Sequence, residues 1–233
     1  MVLLLVLSLF TARVDEHVGA QLPLATPFTS ATEGATTLGA ALGERPALLV
    51  LAYARCTMLC NLVLRGTIQA ARGRDVRLVV VSLDDRETVD EARRKQASMR
   101  EDLGRDFAYL VGARANIDAV ANPLGFRYAW EPTTEQYAHP AVIFAITPDG
   151  RVARYLHGLS FDPKIVDEAL ADAAAGRMLT TAAADVLRCF RSPRTDTAGK
   201  RVQLVLRGVA TLCLLSLFVT VAVLVIRERR RGA

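Results

Sequence analysis

Residues 47–60 read Ala-Leu-Leu-Val-Leu-Ala-Tyr-Ala-Arg-Cys-Thr-Met-Leu-Cys. Ala47–Tyr53 is a continuous apolar run of strand length, the pattern of a strand buried on both faces. Beyond it, Cys60–Arg72 carries Leu64, Ile68 and Ala71 on one side, which predicts a helix. Cys56 and Cys60 straddle the change from strand to helix, and that junction organises the rest of the reading.

Working outward, Val76–Leu83 reads as a second buried strand and charged Arg86–Glu101 as a solvated helix ending before Gly104. Phe107–Val111 is a third strand, Ala113–Leu124 a helix, and Phe126–Ala129 a short edge strand. Ala141–Thr147 and Arg151–Leu156, joined by Pro148-Asp149-Gly150, form the clearest hairpin. Asp162-Pro163 then opens a helix through about Ala175, with Asp162 as N-cap. Upstream, Arg13–Gly43 is mixed and turn-rich, an arm or short hairpin before the core. This order predicts an α/β protein, a three-layer α/β sandwich with a mixed sheet, and thioredoxin-like folds are its common owner.

The chain has 233 residues, 52% of them hydrophobic, with 29 Lys+Arg against 24 Asp+Glu. The net +5 is carried by Arg201–Ala233; the stretch 13–200 holds 23 basic and 23 acidic residues, and 1–12 none. A neutral body with 6% aromatics and no basic cluster gives a nucleic-acid partner no support. So apolar a body is also unlike a disordered chain.

Val209–Ile226 runs 18 residues without a charge, about 27 Å as a helix against a hydrocarbon thickness of ~30 Å. Arg207 precedes it and Arg227, Arg229, Arg230 and Arg231 close it, the pattern of a C-terminal transmembrane helix with headgroup contacts. Val2–Phe10 resembles the apolar region of a secretory signal, although it lacks a basic start. The expected organisation is a signal segment at 1–12, a domain at 13–175, a linker at 176–208, the span at 209–226 and a basic tail at 227–233. With a signal, the domain lies outside the cytoplasm and the arginine tail inside.

On a helix, positions i and i+4 share a face, so Cys56 and Cys60 would point the same way from the first turn. The positive end of the helix dipole favours thiolate, the form that binds metals and attacks disulfides. Both chemistries use cysteines here; two buried structural cysteines or an inert disulfide are the alternative. His139, before Pro140 and the buried strand Ala141–Thr147, is placed where such a sheet brings a loop against the junction. Two thiolates and one imidazole make a soft site suited to copper. His17 and His157 are read as structural or surface residues, Met58 as packing, and Cys189 and Cys213 as isolated thiols near or within the span.

The stretch from Val14 to Ala175 resembles the Sco/SenC family, copper-binding proteins of thioredoxin fold associated with assembly of cytochrome c oxidase. Tyr53-Ala54-Arg55-Cys56-Thr57-Met58-Leu59-Cys60 matches the family's Y-x-x-C-x-x-x-C, and Ser82-Leu83-Asp84-Asp85-Arg86-Glu87-Thr88 its S-x-D-P-x-x-D-T region. The resemblance, to a bacterial branch anchored at its C-terminus, implies copper ligation by Cys56, Cys60 and His139. It implies a copper-bearing oxidase subunit as partner. Thr57, Asp85 and Ala138 depart from residues common in the family, which bears on the surroundings of the metal rather than on its ligands. Asp84 is expected either to orient the site or to cap the following helix. The expected function is a membrane-tethered copper chaperone. The alternative is an extracytoplasmic thiol–disulfide oxidoreductase using Cys56 and Cys60 as a redox pair, although such enzymes of this fold usually carry C-x-x-C.

Overall fold

The computed structural model describes residues 12–56, 60–104, 106–191 and, beyond them, 208, 209, 211, 212, 215 and 216; for residues 60 and 188–191 it describes the backbone only. The chain divides into two units, Met1–Ala183 and Ala184–Ala233. In chain order the first unit opens with β1 (Arg13–Val14), β2 (Pro27–Ser30), β3 (Gly34–Thr37), α1 (Leu38–Leu42), β4 (Ala47–Ala52) and α2 (Cys60–Ala71). There follow β5 (Arg77–Ser82), α3 (Val89–Leu103), β6 (Ala108–Val111), α4 (Arg114–Ala121), β7 (Phe126–Arg127), β8 (Ala129–Glu131) and β9 (Gln136–Ala138). The series ends with β10 (Val142–Ile146), β11 (Val152–His157), α5 (Pro163–Ala174) and α6 (Thr181–Arg191), the last crossing the boundary between the units.

Seven strands make one mixed sheet in the order β11-β10-β4-β5-β6-β2-β3. β4, β5 and β6 are parallel; β10 joins β4 antiparallel, β11 follows β10, and β2 joins β6 antiparallel. All six residues of β4 are buried, as an apolar run without alternation requires. Its side chains divide by the strand period of two. Ala47, Leu49 and Leu51 enter a core with Ile117 and Val120 of α4, while Leu48, Val50 and Ala52 enter another with Val63, Leu64 and Ile68 of α2. Helices α3 and α5 complete that second layer through Met99, Leu103, Val166 and Ala169. The result is the expected three-layer α/β sandwich.

Boundaries differ from the sequence reading at informative places. Helix α3 begins at Val89 rather than Arg86, because Thr88 caps it: its hydroxyl accepts from Glu91 N–H, and the Glu91 carboxylate accepts from Thr88 N–H in return. Residues 84–86 are taken by a turn in which Asp84 accepts from the Arg86 amide at 3.0 Å and from its guanidinium at 2.9 and 3.2 Å. The turn-rich arm supplies the β2–β3 hairpin that extends the main sheet. Phe126–Ala129 is not an edge of that sheet. β7 pairs with β1, and Gly125, at φ +60, lies so close to Asp15 that a Cβ would fall 1.8 Å from its carbonyl oxygen. Ala129 belongs instead to the separate β8–β9 ribbon.

Within 176–208, residues 181–191 are helical as α6, started by the Thr180 hydroxyl accepting from Ala183 N–H and by Glu16, whose carboxylate accepts from the Thr181 amide. Among the described residues no helix is long and apolar enough to cross a membrane. Residues 1–11 and most of 209–226 lie outside the described residues, and with them the signal segment and the span.

Candidate metal centre

Two of the three residues singled out from the sequence, Cys56 and His139, meet Tyr53 just past the C-terminal end of β4. Tyr53 is the first residue past the strand, and its carbonyl accepts from the Cys56 amide at 3.4 Å. Cys56 is buried at 5% exposure and disulfide-bonded. Cys60 opens α2, but Cys56 lies before the helix in the loop that follows β4, so the expected i/i+4 pairing on one helical face does not hold; the side chain of Cys60 and residues 57–59 lie outside the described residues. Cys189 and Cys213 likewise have no described side chain. His139 sits between β9 and β10. In the antiparallel β10–β4 ladder Phe144 lies opposite Leu49, so the chain that enters β10 from His139 comes from the side of the C-terminal end of β4. The ring of His139 meets the Tyr53 ring edge-on, centroids 6.3 Å apart, and the Phe126 ring at 6.1 Å.

Tyr53 does more than pack. Its hydroxyl donates to Gln136 Oε1 at 2.7 Å and accepts from the Tyr137 amide at 3.1 Å. The backbone of β9 is therefore fixed two residues before His139. On the other side, the buried Glu87 carboxylate accepts from the Ala54 amide and from the Ser82 hydroxyl, both at 2.8 Å. Arg55 is held by the Glu91 carboxylate at 3.0 and 3.2 Å and by the Arg86 carbonyl at 2.6 Å. The loop that carries Cys56 is thus strapped to the turn between β5 and α3.

The electrostatics suit a neutral imidazole. Burial holds His139 below its ordinary pKa of 6.5, and the hydrogen bond to Pro140 only partly opposes this. That bond runs from Nδ1 to a carbonyl oxygen at 3.1 Å. A carbonyl only accepts, so Nδ1 carries the proton and the ring lone pair is on Nε2, the tautomer that ligates a metal. Glu87 is pushed up by burial, while Glu91 is pulled down to about 2 by the Thr88 amide and hydroxyl and by Arg55.

Among the described residues no group of three or more His, Cys, Asp or Glu is arranged to hold a metal; the third expected ligand is Cys60, whose side chain is not described. The Asp84 carboxylate pairs with Arg86, and Thr88 rather than Asp84 caps the following helix. Asp85, where the family pattern has proline, pairs with Arg114. His157 pairs with Glu16 and stacks on Tyr155, and His17 donates its amide to the Tyr155 hydroxyl, so both serve the arm.

An element beside the site was not read from the sequence. The β8–β9 ribbon brings Trp130 and Tyr137 together at 5.1 Å, with Tyr128 5.8 Å from Tyr137. The Arg86 guanidinium lies 4.3 Å over the Trp130 ring. Arg114 donates to the hydroxyls of both Tyr128 and Tyr137 at 2.6 Å and to the Leu83 carbonyl at 3.2 Å. The signal was present: Tyr128 and Trp130 alternate with Arg127, Ala129 and Glu131, and Tyr137 follows a Pro132-Thr133-Thr134 turn.

The SCO1/SenC family model matches residues 19–175. No curated protein matches the chain in sequence. Among solved structures, Arabidopsis thaliana ScoI with copper bound is similar at TM-score 0.54 and 18% identity, covering 66% of this chain and 96% of its own. Bradyrhizobium japonicum ScoI with copper bound is similar at 0.51 and 22%, covering 67% and 99%. BsSco, described as having a disulfide switch and as a member of the Sco family of cytochrome c oxidase assembly proteins, is similar at 0.52 and 18%, covering 69% and 97%. These likenesses carry the fold. With two thirds of its length matched by the family model, ending one residue past α5 and enclosing the Cys56 loop and His139, the chain belongs to the SCO1/SenC family.

Proposed function

We propose that the protein is a copper chaperone that holds one copper through Cys56, Cys60 and His139 and passes it to a copper-bearing subunit of a cytochrome c oxidase. The observation that carries this reading is the convergence of Cys56 and a neutral, Nδ1-protonated His139 on Tyr53. The copper-bound ScoI relatives and the family to which BsSco is assigned support the metal and the destination.

The donor set fits the cargo. Thiolate sulfur and imidazole nitrogen are the soft and intermediate ligands that select Cu(I), and three donors leave room for an incoming ligand from the recipient. The disulfide at Cys56 is the state that does not bind. We take Cys60 as its partner; an external dithiol that becomes a disulfide supplies the two electrons and two protons that release both thiols. The same disulfide favours the second reading, in which the pair reduces cysteines of an apo-oxidase or another exported protein.

The two readings part on one residue. His139→Ala in the full, reduced chain is expected to weaken copper retention by more than about 100-fold, beyond what loss of a supporting group produces, as measured by competition with a Cu(I) chelator. Unchanged retention together with intact disulfide exchange contradicts the chaperone and leaves the oxidoreductase.

The strapping of the site gives a subtler test. Tyr53→Phe keeps the ring against His139 but removes both hydrogen bonds to β9, and copper retention is expected to fall about tenfold, the range of a supporting contact. Retention equal to that of the unsubstituted chain would show that β9 holds His139 without Tyr53.

We further propose that residues 209–226 tether the domain to the outer face of a bacterial inner membrane, on the strength of the arginine-flanked 18-residue apolar run. A reporter enzyme fused after Ala233 should be active only when cytoplasmic; a periplasmic signal reverses the orientation.

A further inference from the structure

Most arginines of the described domain are matched to a carboxylate. Arg45, Arg55, Arg74, Arg86, Arg93, Arg114, Arg151, Arg154 and Arg177 each pair with an Asp or Glu. Cations without such a partner among the described residues include Arg72, Arg77 and Arg127, and three that lie close together, Arg65, Arg94 and Lys95. Arg94 and Lys95 on α3 have no carboxylate within ion-pair distance among the described residues. They line a groove of about 310 Å³ together with Ala54, Arg55, Glu91 and Ser98.

This groove borders the Cys56 loop, since Ala54 and Arg55 form one wall. Lys95 reaches across to the side chain of Asn61, near the start of α2. One turn further along α2, exposed Arg65 also has no ion pair and acts on Lys95 as a neighbouring positive charge. Burial lowers the Lys95 pKa, and the nearby charge of buried Glu87 only partly opposes this. The wall's acid is already committed: both Glu91 oxygens go to Arg55 and Thr88. The lining with its two charged neighbours, Arg65 and Glu87, therefore carries four cations against two carboxylates.

We propose that this groove binds an acidic segment of the protein that receives or supplies the copper, lying along α3 and ending at the Cys56 loop. The proposal rests on the chaperone reading for the identity of that protein, but not for the charge of the groove. A protein segment suits the site better than a bilayer, because one wall of this open groove is the loop that carries Cys56, which a copper partner must approach. Such charge complementarity aligns the two proteins and speeds their encounter.

The test uses the metal-free full chain in detergent and a fluorescein-labelled hexaglutamate peptide, read by anisotropy at low ionic strength. Arg94→Gln with Lys95→Gln should weaken binding about tenfold, whereas Arg72→Gln with Lys164→Gln, which removes the same charge from two exposed residues elsewhere, should leave it unchanged. A hexalysine peptide should not bind. Equal weakening by both pairs, or none by the groove pair, would overturn the proposal, as would a groove pair that loses phosphatidylglycerol vesicles but not the peptide. Thermal unfolding of each variant confirms that it is folded, and both pairs lie on exposed or half-exposed positions. Because no copper is present, failure of the metal site leaves this outcome untouched, and failure here leaves the metal site untouched.

Discussion

Two adjacent residues just past β4 hold both halves of the candidate centre. Tyr53 fixes β9, and so His139, through its hydroxyl; Ala54 fixes the Cys56 loop through its amide on Glu87. β4 is what makes this possible. It is buried on both faces and apolar throughout, so no polar chemistry fits along its length and the chain's first polar contacts fall at its end. A central strand buried on both faces thereby delivers Tyr53 and Ala54 to fixed positions, and Cys56 and His139 inherit that precision.

Glu87 shows what this arrangement costs. A carboxylate buried at 6% exposure pays desolvation, visible in its raised pKa, and the two hydrogen bonds at 2.8 Å are its compensation. Removing an acceptor of this kind orphans a buried amide, at about 1–3 kcal/mol. The Cys56 loop is thus held by a few polar contacts rather than by packing alone.

The fold was legible where burial was two-sided. The unbroken apolar runs of β4, β5 and β10 and the turn Pro148-Asp149-Gly150 left few other readings, and Asp162-Pro163 marked the start of α5. Short elements were not legible. β7 and β8 were merged because what separates them is pairing with β1 and β9, a tertiary event that five residues cannot announce. The start of α3 was misplaced by three residues because Asp84, not the helix, satisfies Arg86. At the site, Cys56, Cys60 and His139 stood out by chemistry, whereas Tyr53, Glu87 and Arg114 act through contacts across 31 to 84 positions in sequence, which spacing does not encode. The unpaired cations of α3 emerge only once most other arginines have found a carboxylate.

The central claim is a copper bound by two sulfurs and one imidazole. X-ray absorption at the copper edge, on the reduced full chain loaded with one equivalent of Cu(I), tests it most directly. The account predicts two sulfur scatterers and one imidazole in the unsubstituted chain, with the imidazole signature lost in His139→Ala. An all-sulfur shell, or an imidazole that survives the substitution, would contradict it.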